Sequence, residues 1–160
     1  MSPRLLGLVA ALAAFAIDQV HKTWMLDVFD IEARRRVVVT PFLDLVIAWN
    51  PGVSYSLLRA DSPLGRAALI ALTGAATLAL AVWLWRAPSR LTAGALGLII
   101  GGALGNLADR LTHGAVADFF LFHVGDFSWY VFNIADIAIT AGVALLLLDQ
   151  AIAPKPVAAR

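Results

Sequence analysis

The sequence predicts an all-α membrane protein: four transmembrane helices with a small extracytoplasmic β-sheet and an interfacial loop or helix. Three observations carry this. The 160 residues are 61% hydrophobic and 14% charged, against about 25% charged in soluble domains, and the mean hydropathy is +0.82. Four stretches are long and apolar enough to cross a bilayer, which takes about 20 residues each. The segments between them are unequal, and two of these carry strand or aromatic patterning. A single integral membrane domain over residues 1–160 is expected, with spans near 5–26, 64–85, 91–110 and 131–150.

The first span is apolar except for Asp18, His21 and Lys22. Arg4, the apolar run and Ala14-Phe15-Ala16 together resemble a cleavable secretory signal. Asp18 and Lys22, however, stand at i,i+4 in the favourable order for an ion pair on one helix face, which fits a retained span. The long connection from Asp27 to Pro63 contains two β-branched and aromatic runs, Arg36–Thr40 and Phe42–Trp49. Leu43, Leu45, Ile47 and Trp49 alternate along one face of the second run, as in a half-buried strand, and a small sheet on the membrane surface follows. Asn50-Pro51-Gly52 makes a turn. Ala67–Trp85 carries no charge, and Arg86–Arg90 is a tight hairpin. Leu91–Ala108 is uncharged until Asp109-Arg110, and Gly101, Gly102 and Gly105 allow close helix contact. Seven of the fifteen aromatic residues fall in Phe119–Phe132, a composition suited to headgroup level. Val131–Leu148 is interrupted only by Asn133 and Asp136. The tail Ala153–Arg160, with Pro154 and Pro156, is expected to be unstructured.

Loop charges nearly tie on orientation. Arg4, Arg86, Arg90, Lys155 and Arg160 would share one side, and Arg34, Arg35, Arg36 and Arg59 the other. The short hairpin with two arginines and no acid favours a cytoplasmic position for itself and both termini. At about 1.5 Å per residue, Asp18 then lies roughly 20 Å along the first span, Asn106–Arg110 about 22–28 Å along the third, and Asp136 about 8 Å into the fourth. The polar residues converge near the outer face, and the cytoplasmic halves read as plain apolar.

Several function classes are excluded or weakened. A net charge of +1 and the lack of a basic stripe argue against nucleic acid. Without cysteine there is no disulfide, thiol nucleophile or Cys-ligated zinc. His21, His113 and His123 lack metal-site spacing and read as ordinary interface histidines. Ser54 or Ser56 with Lys22 would make a Ser–Lys peptidase, but nothing in the spacing supports it. Gly125-Asp126 is similar to the Gly-x-Gly-Asp of intramembrane aspartyl proteases, except that His123 occupies the first glycine's position.

Asp118 and Asp136 are the foremost site candidates. An unpaired acid in a membrane span is costly and marks function by default, and no lysine or arginine lies within a turn of Asp136. Asp18–Lys22 reads as a structural ion pair. Asp109–Arg110 reads as a helix-end anchor, with Arg110 also suited to holding a substrate group or orienting a carboxylate. The amides of Asn106 and Asn133 can serve backbone, acid or substrate. A rival reading is a small four-helix transporter or channel component with buried acids. It predicts polar groups spread through the membrane depth, not gathered at one end.

Five motifs in order resemble bacterial lipoprotein signal peptidase, signal peptidase II. They are Asp18-Gln19-Val20-His21-Lys22, Asn50-Pro51-Gly52, the Gly101–Arg110 stretch Gly-Gly-x-x-Gly-Asn-x-x-Asp-Arg, Gly114-Ala115-Val116-Ala117-Asp118-Phe119, and Phe132-Asn133-Ile134-Ala135-Asp136. Val53-Ser54-Tyr55 departs from the small residues and phenylalanine usual there. The resemblance implies an aspartic endopeptidase of one integral membrane domain, with Asp118 and Asp136 as catalytic dyad. Asp18, Lys22, Asn50, Gly52, Gly105, Asn106, Arg110, Asn133 and Ala135 are then supporting positions. It implies cleavage of diacylated prolipoproteins just before the diacylglyceryl-modified cysteine, with no cofactor or metal. The setting is the bacterial cytoplasmic (inner) membrane, in contact with lipid, as a monomer, with the active site near the outer face.

Overall fold

The computed structural model describes residues 1–52 and 63–152. Val53-Ser54-Tyr55, Ser56, Arg59 and the Ala153–Arg160 tail lie outside the described residues.

Helix α1 spans Pro3–Thr23. It starts where Pro3 supplies a fixed φ and the Ser2 hydroxyl accepts the Leu5 N–H at 3.3 Å. It runs on as a π-helical turn over Trp24–Val28, and Asp30, left-handed at φ 52°, turns the chain into the short helix α2, Ile31–Arg34. Strands β1 (Arg36–Thr40) and β2 (Leu43–Asn50) follow as expected within a residue. Helix α3 is Pro63–Trp85 and α4 is Arg90–Thr112. Strands β3 (Val116–Val124) and β4 (Phe127–Phe132) precede α5, Ile134–Ile152.

The four long helices are each apolar and long enough to cross a membrane. Of α4's most apolar window 61% is buried, against 17–22% for the other three. So α4 is the central post, and α1, α3 and α5 keep wide apolar faces outward. Small residues allow the close approach: a Cβ on Gly101 would fall on the Ala11 carbonyl of α1. At one end of the bundle Arg4 Nε donates to the Trp85 carbonyl at 3.0 Å. At the same end the Asp149 carboxylate of α5 accepts from the Ser89 and Thr92 hydroxyls at the start of α4. That end is therefore not plain apolar, as the sequence suggested. Between it and the far end, Leu96, Ile99 and Ile100 of α4 are buried apolar packing.

The sheet is larger than expected. All four strands pair antiparallel in the order β1-β2-β3-β4. The aromatic segment read as an interfacial loop or helix is a hairpin, turned at Gly125 with φ 57°. Its period was obscured by a register shift between Leu121 and His123 and by aromatic residues on both faces. In β2 the expected alternation fails as well. Leu45 and Ile47 pack on the Met25, Ile31, Ala117 and Phe119 cluster, but Trp49 is 40% exposed and the fully buried member is Asp44. Asp44 Oδ2 accepts from Arg36 Nε at 2.7 Å and lies 3.2 Å from His123 Nε2.

Candidate active site

The fourth helix begins three residues later than its apolar run. Val131 and Phe132 end β4, and Asn133 caps α5. The Asn133 Oδ1 accepts the Asp136 N–H at 3.0 Å, and Asp136 Oδ2 accepts the Asn133 N–H at 3.2 Å. This reciprocal pairing is a capping box with asparagine and aspartate in the two roles. Asp136 is thus not five residues into a span. It lies in the first turn, about 3 Å along the helix from Ile134, where the N–H ends favour negative charge.

A second helix-end donor is met from far away in sequence. The Ala135 N–H donates to Asp18 Oδ1 at 2.9 Å. Ala135 must be small and Gly105 must lack a Cβ, since one there would strike the Asp18 carboxylate. Lys22 Nζ lies 2.8 Å from Asp18 Oδ2 and 2.8 Å from Asp109 Oδ2, with all three side chains buried. The expected Asp18–Lys22 pair is present, and it is part of a triad. Asp109 is no helix-end anchor: it accepts from Gln19 Nε2 at 3.2 Å and from the Ala117 N–H at 3.1 Å, tying α4 to α1 and to β3. Gln19 Nε2 also donates to Asp18 Oδ2 and to the Gly105 carbonyl. Sequence reasoning missed Asp109 and Gln19 as network members. The available signal was that Asp109 follows Gly105 by four residues and so shares its buried face.

The network leads to Asp118 and Asp136 through amides. Asn106 Oδ1 accepts from Lys22 Nζ at 3.3 Å and from Asn133 Nδ2 at 3.1 Å. With its oxygen so engaged, Asn106 presents its Nδ2, which donates to Asp136 Oδ1 at 3.0 Å. Asn133 Nδ2 donates to Asp118 Oδ1 at 2.6 Å, and Asn50 Nδ2 donates to Asp118 Oδ2 at 3.3 Å. One residue, Asn133, therefore contacts both carboxylates. Asn50 is fixed because its Oδ1 accepts the Gly52 N–H at 3.1 Å, and the Gly52 carbonyl accepts from Arg110 at 2.7 Å. Arg110, buried, also donates to the Asn106 carbonyl.

Asp118, Asp136, Asn50, Asn106, Arg110 and Tyr130 line one cavity of about 310 Å³. Every site residue expected from the sequence lies on this cavity or one hydrogen bond behind it, except Asp18, which reaches it through Lys22 and Asn106, and its small neighbours Gly105 and Ala135. Burial, and then the charge of Asp136, pushes the Asp118 carboxyl up to about 7 against the hydrogen bonds of Asn50 and Asn133. The three histidines stand apart. His21 stacks on Phe120, His113 lies against Trp49, and His123 meets Asp44. Among the described residues no group of three His, Asp or Glu side chains is placed to hold a metal ion.

The chain is similar to several known proteins. A lipoprotein signal peptidase of Beijerinckia indica subsp. indica is 62% identical over 149 residues, covering 93% of this chain and 89% of that protein. One of Methylocella silvestris is 59% identical over 150 residues, covering 94% and 88%. A solved bacterial membrane enzyme, determined by the in meso method at 2.3 Å, superposes with a TM-score of 0.78 at 25% identity, covering 96% of this chain and 94% of that one. A second, at 1.9 Å, gives 0.76 at 26% identity, covering 92% and 94%. The family model for signal peptidase (SPase) II matches residues 10–152. With four membrane-length helices and an acidic cavity lined from α3, α4, α5 and the sheet, the chain is a multi-pass membrane protein that belongs to the signal peptidase II family.

Proposed function

We propose that the chain is a single-domain membrane aspartic endopeptidase that removes signal peptides from prolipoproteins, cutting before the diacylglyceryl-modified cysteine, with Asp118 and Asp136 as its catalytic dyad. The observation that carries the reading is the pair of buried carboxylates on one cavity, joined through Asn133 and each accepting amide hydrogen bonds. Two such groups cannot both ionise, so the dyad keeps one shared proton. The upward shift of Asp118 to about 7 supports that state.

Hydrolysis then balances as follows. The ionised carboxylate takes a proton from water as the water oxygen bonds to the scissile carbonyl carbon. The protonated carboxyl gives its proton to the carbonyl oxygen, leaving a neutral gem-diol. In the second step the C–N bond breaks, the nitrogen takes the proton now held by the first carboxyl, and a gem-diol hydroxyl returns a proton to the second. The products are a carboxyl terminus on the signal peptide and a free amine on the lipidated cysteine, and the dyad regains its single proton. Asn106, Asn133 and Asn50 orient the carboxylates. Arg110 holds the Gly52 turn beside them, and Asp18, Lys22, Gly105 and Ala135 support the start of α5.

The protein acts in the bacterial inner membrane as a monomer in contact with lipid, without nucleic acid. Both termini are cytoplasmic, the sheet lies outside, and the cavity opens near the outer face, where a lipid-anchored cysteine holds the bond to be cut. The deciding experiment is cleavage of a diacylated prolipoprotein by the purified protein, with Asp118→Asn and Asp136→Asn as controls. Near-normal turnover in either variant overturns the dyad. Chelators should leave turnover unchanged, and sensitivity to them would reveal a metal requirement.

A further inference from the structure

Helix α5 carries Asp136 in its first turn, and polar contacts hold it at its two ends. At the start, the Asn133 cap, the Ala135 N–H bond to Asp18 and the Asn106 bond to Asp136 fix the turn beside the cavity. At the other end stands Asp149, thirteen residues on and about 20 Å along the helix. Among the described residues, no side chain of α5 between Asp136 and Asp149 makes a hydrogen bond to another helix. What lies between is apolar. A Cβ on Gly142 would meet the Ala95 carbonyl and Ile99 of α4, and one on Gly102 of α4 would meet the Ala135 carbonyl. Packing of this kind sets how closely the helices approach. Apolar burial is non-directional, so it fixes the rotation of α5 about its own axis only loosely.

Asp149 is poorly explained by its own helix. It stands in the last described turn of α5, and the C-terminal pole of a helix disfavours negative charge. What it meets is the opposite pole of α4. Ser89 caps α4, its hydroxyl accepting the Thr92 N–H at 2.9 Å. The same hydroxyl donates to the Asp149 carboxylate at 3.1 Å, and the Thr92 hydroxyl donates to Asp149 Oδ2. Thr92 is buried. A carboxylate accepting from two hydroxyls at a helix start is a directional contact, unlike the apolar packing beside it.

We propose that Asp149 is a positioning residue for the dyad: its hold on Ser89 and Thr92 fixes the rotation of α5 against α4, and with it the place of Asp136 opposite Asp118. This rests on the endopeptidase reading above and adds to it a residue at the far end of the bundle. A helix turns as one body over this length, and a side-chain tip lies about 5–6 Å from its axis. A rotation of about 10° therefore carries the Asp136 carboxylate about 1 Å past its partner. Misplacement on that scale costs up to about a hundredfold in rate. The bonds at the start of α5 and the latch at its end are two holds on one rotation, and loss of the latch leaves the first alone.

The test uses the full-length protein in lipid bilayer discs and a synthetic diacylated prolipoprotein peptide. In Asp149→Ala, kcat should fall about tenfold or more with KM little changed, since the latch touches no substrate. Asp149→Asn keeps a carbonyl acceptor for a hydroxyl and should recover most of the turnover. The pH profile gives a readout that general destabilisation would not move. Burial and then the charge of Asp136 push the Asp118 carboxyl up to about 7. Like charges repel, so a released Asp136 moves away, and the alkaline limb of the Asp149→Ala rate should shift to lower pH. Parental kcat in Asp149→Ala overturns the proposal. A lower melting temperature with parental kcat per folded molecule and an unmoved limb overturns it too, and makes Asp149 packing alone. Equal losses in the alanine and asparagine variants overturn the hydrogen-bonded latch. If Asp149→Ala does not fold, Thr92→Val, which keeps the side-chain shape and removes one hydroxyl, decides by the same two readouts. A parent that does not cut the peptide overturns the endopeptidase reading itself.

Discussion

Replacing Lys22 by methionine tests the buried charge network most directly. Lys22 Nζ sits at 2.8 Å from both Asp18 and Asp109, and all three are at most 4% exposed. Methionine keeps the apolar stem and deletes the cation, leaving two carboxylates with only amide donors. Breaking a buried pair by removing one partner costs about 3–5 kcal/mol. At about 2–4 °C of melting temperature per kcal/mol for a chain of this size, the fall should lie between about 6 and about 20 °C. The usual rescue, neutralising the partner, is blocked here. The double variant Asp18→Asn with Lys22→Met still buries the Asp109 carboxylate, and it weakens the contact of Asp18 with the Ala135 N–H. Only the triple variant that also carries Asp109→Asn removes every unpaired charge. The assay is thermal unfolding of the purified protein in one detergent, alongside turnover. If Lys22→Met melts within about 2 °C of the parent, less than the shift expected of 1 kcal/mol, the buried-triad argument fails. It fails equally if the double variant alone restores parental stability.

Other outcomes follow from the same geometry. Turnover should fall as pH rises through about 7, because the dyad then loses the proton that Asp118 holds up to that value; a rate profile flat to high pH would contradict a shared proton. Stability carries the matching sign. A carboxyl raised from 3.8 to about 7 binds its proton more tightly in the folded state, so the parent loses stability as pH climbs through that window. Asp118→Asn should remove this slope in a pH series of melting temperatures. Asn133→Ala should cost about 1 kcal/mol through the lost cap and most of the turnover through the lost bridge between carboxylates; stability loss without activity loss would make Asn133 a cap alone. Gly105→Ala should reduce both activity and melting temperature, since its methyl meets an Asp18 carboxylate held by Ala135, Gln19 and Lys22, and a silent variant would show that Asp18 can move.

The helices were legible because a run of apolar residues and its interrupting acids need no partner to be noticed. The candidate site residues could be named from the sequence because they stand in five short motifs. Three things were hidden, each for a physical reason. Val131 and Phe132 are as apolar as a span, so the start of α5 was masked until Asn133 could be seen capping it. The β3–β4 hairpin is apolar on both faces and its register slips, so the period of two was lost. The role of Asp109 depends on Gln19 and Lys22 on another helix, and nothing local in the sequence distinguishes that from an anchor at a helix end.

The hydrogen bond from Ala135 to Asp18 joins residues 117 positions apart. The first turn of the last span is thus held by the first span, and Asp136 takes its place only when both are together. During synthesis α1, α3 and α4 can all be complete while Asp136 has yet to emerge from the ribosome. On the reading proposed above, a chain at that stage lacks one carboxylate of the proposed dyad, and the site is assembled only when α5 packs against α1.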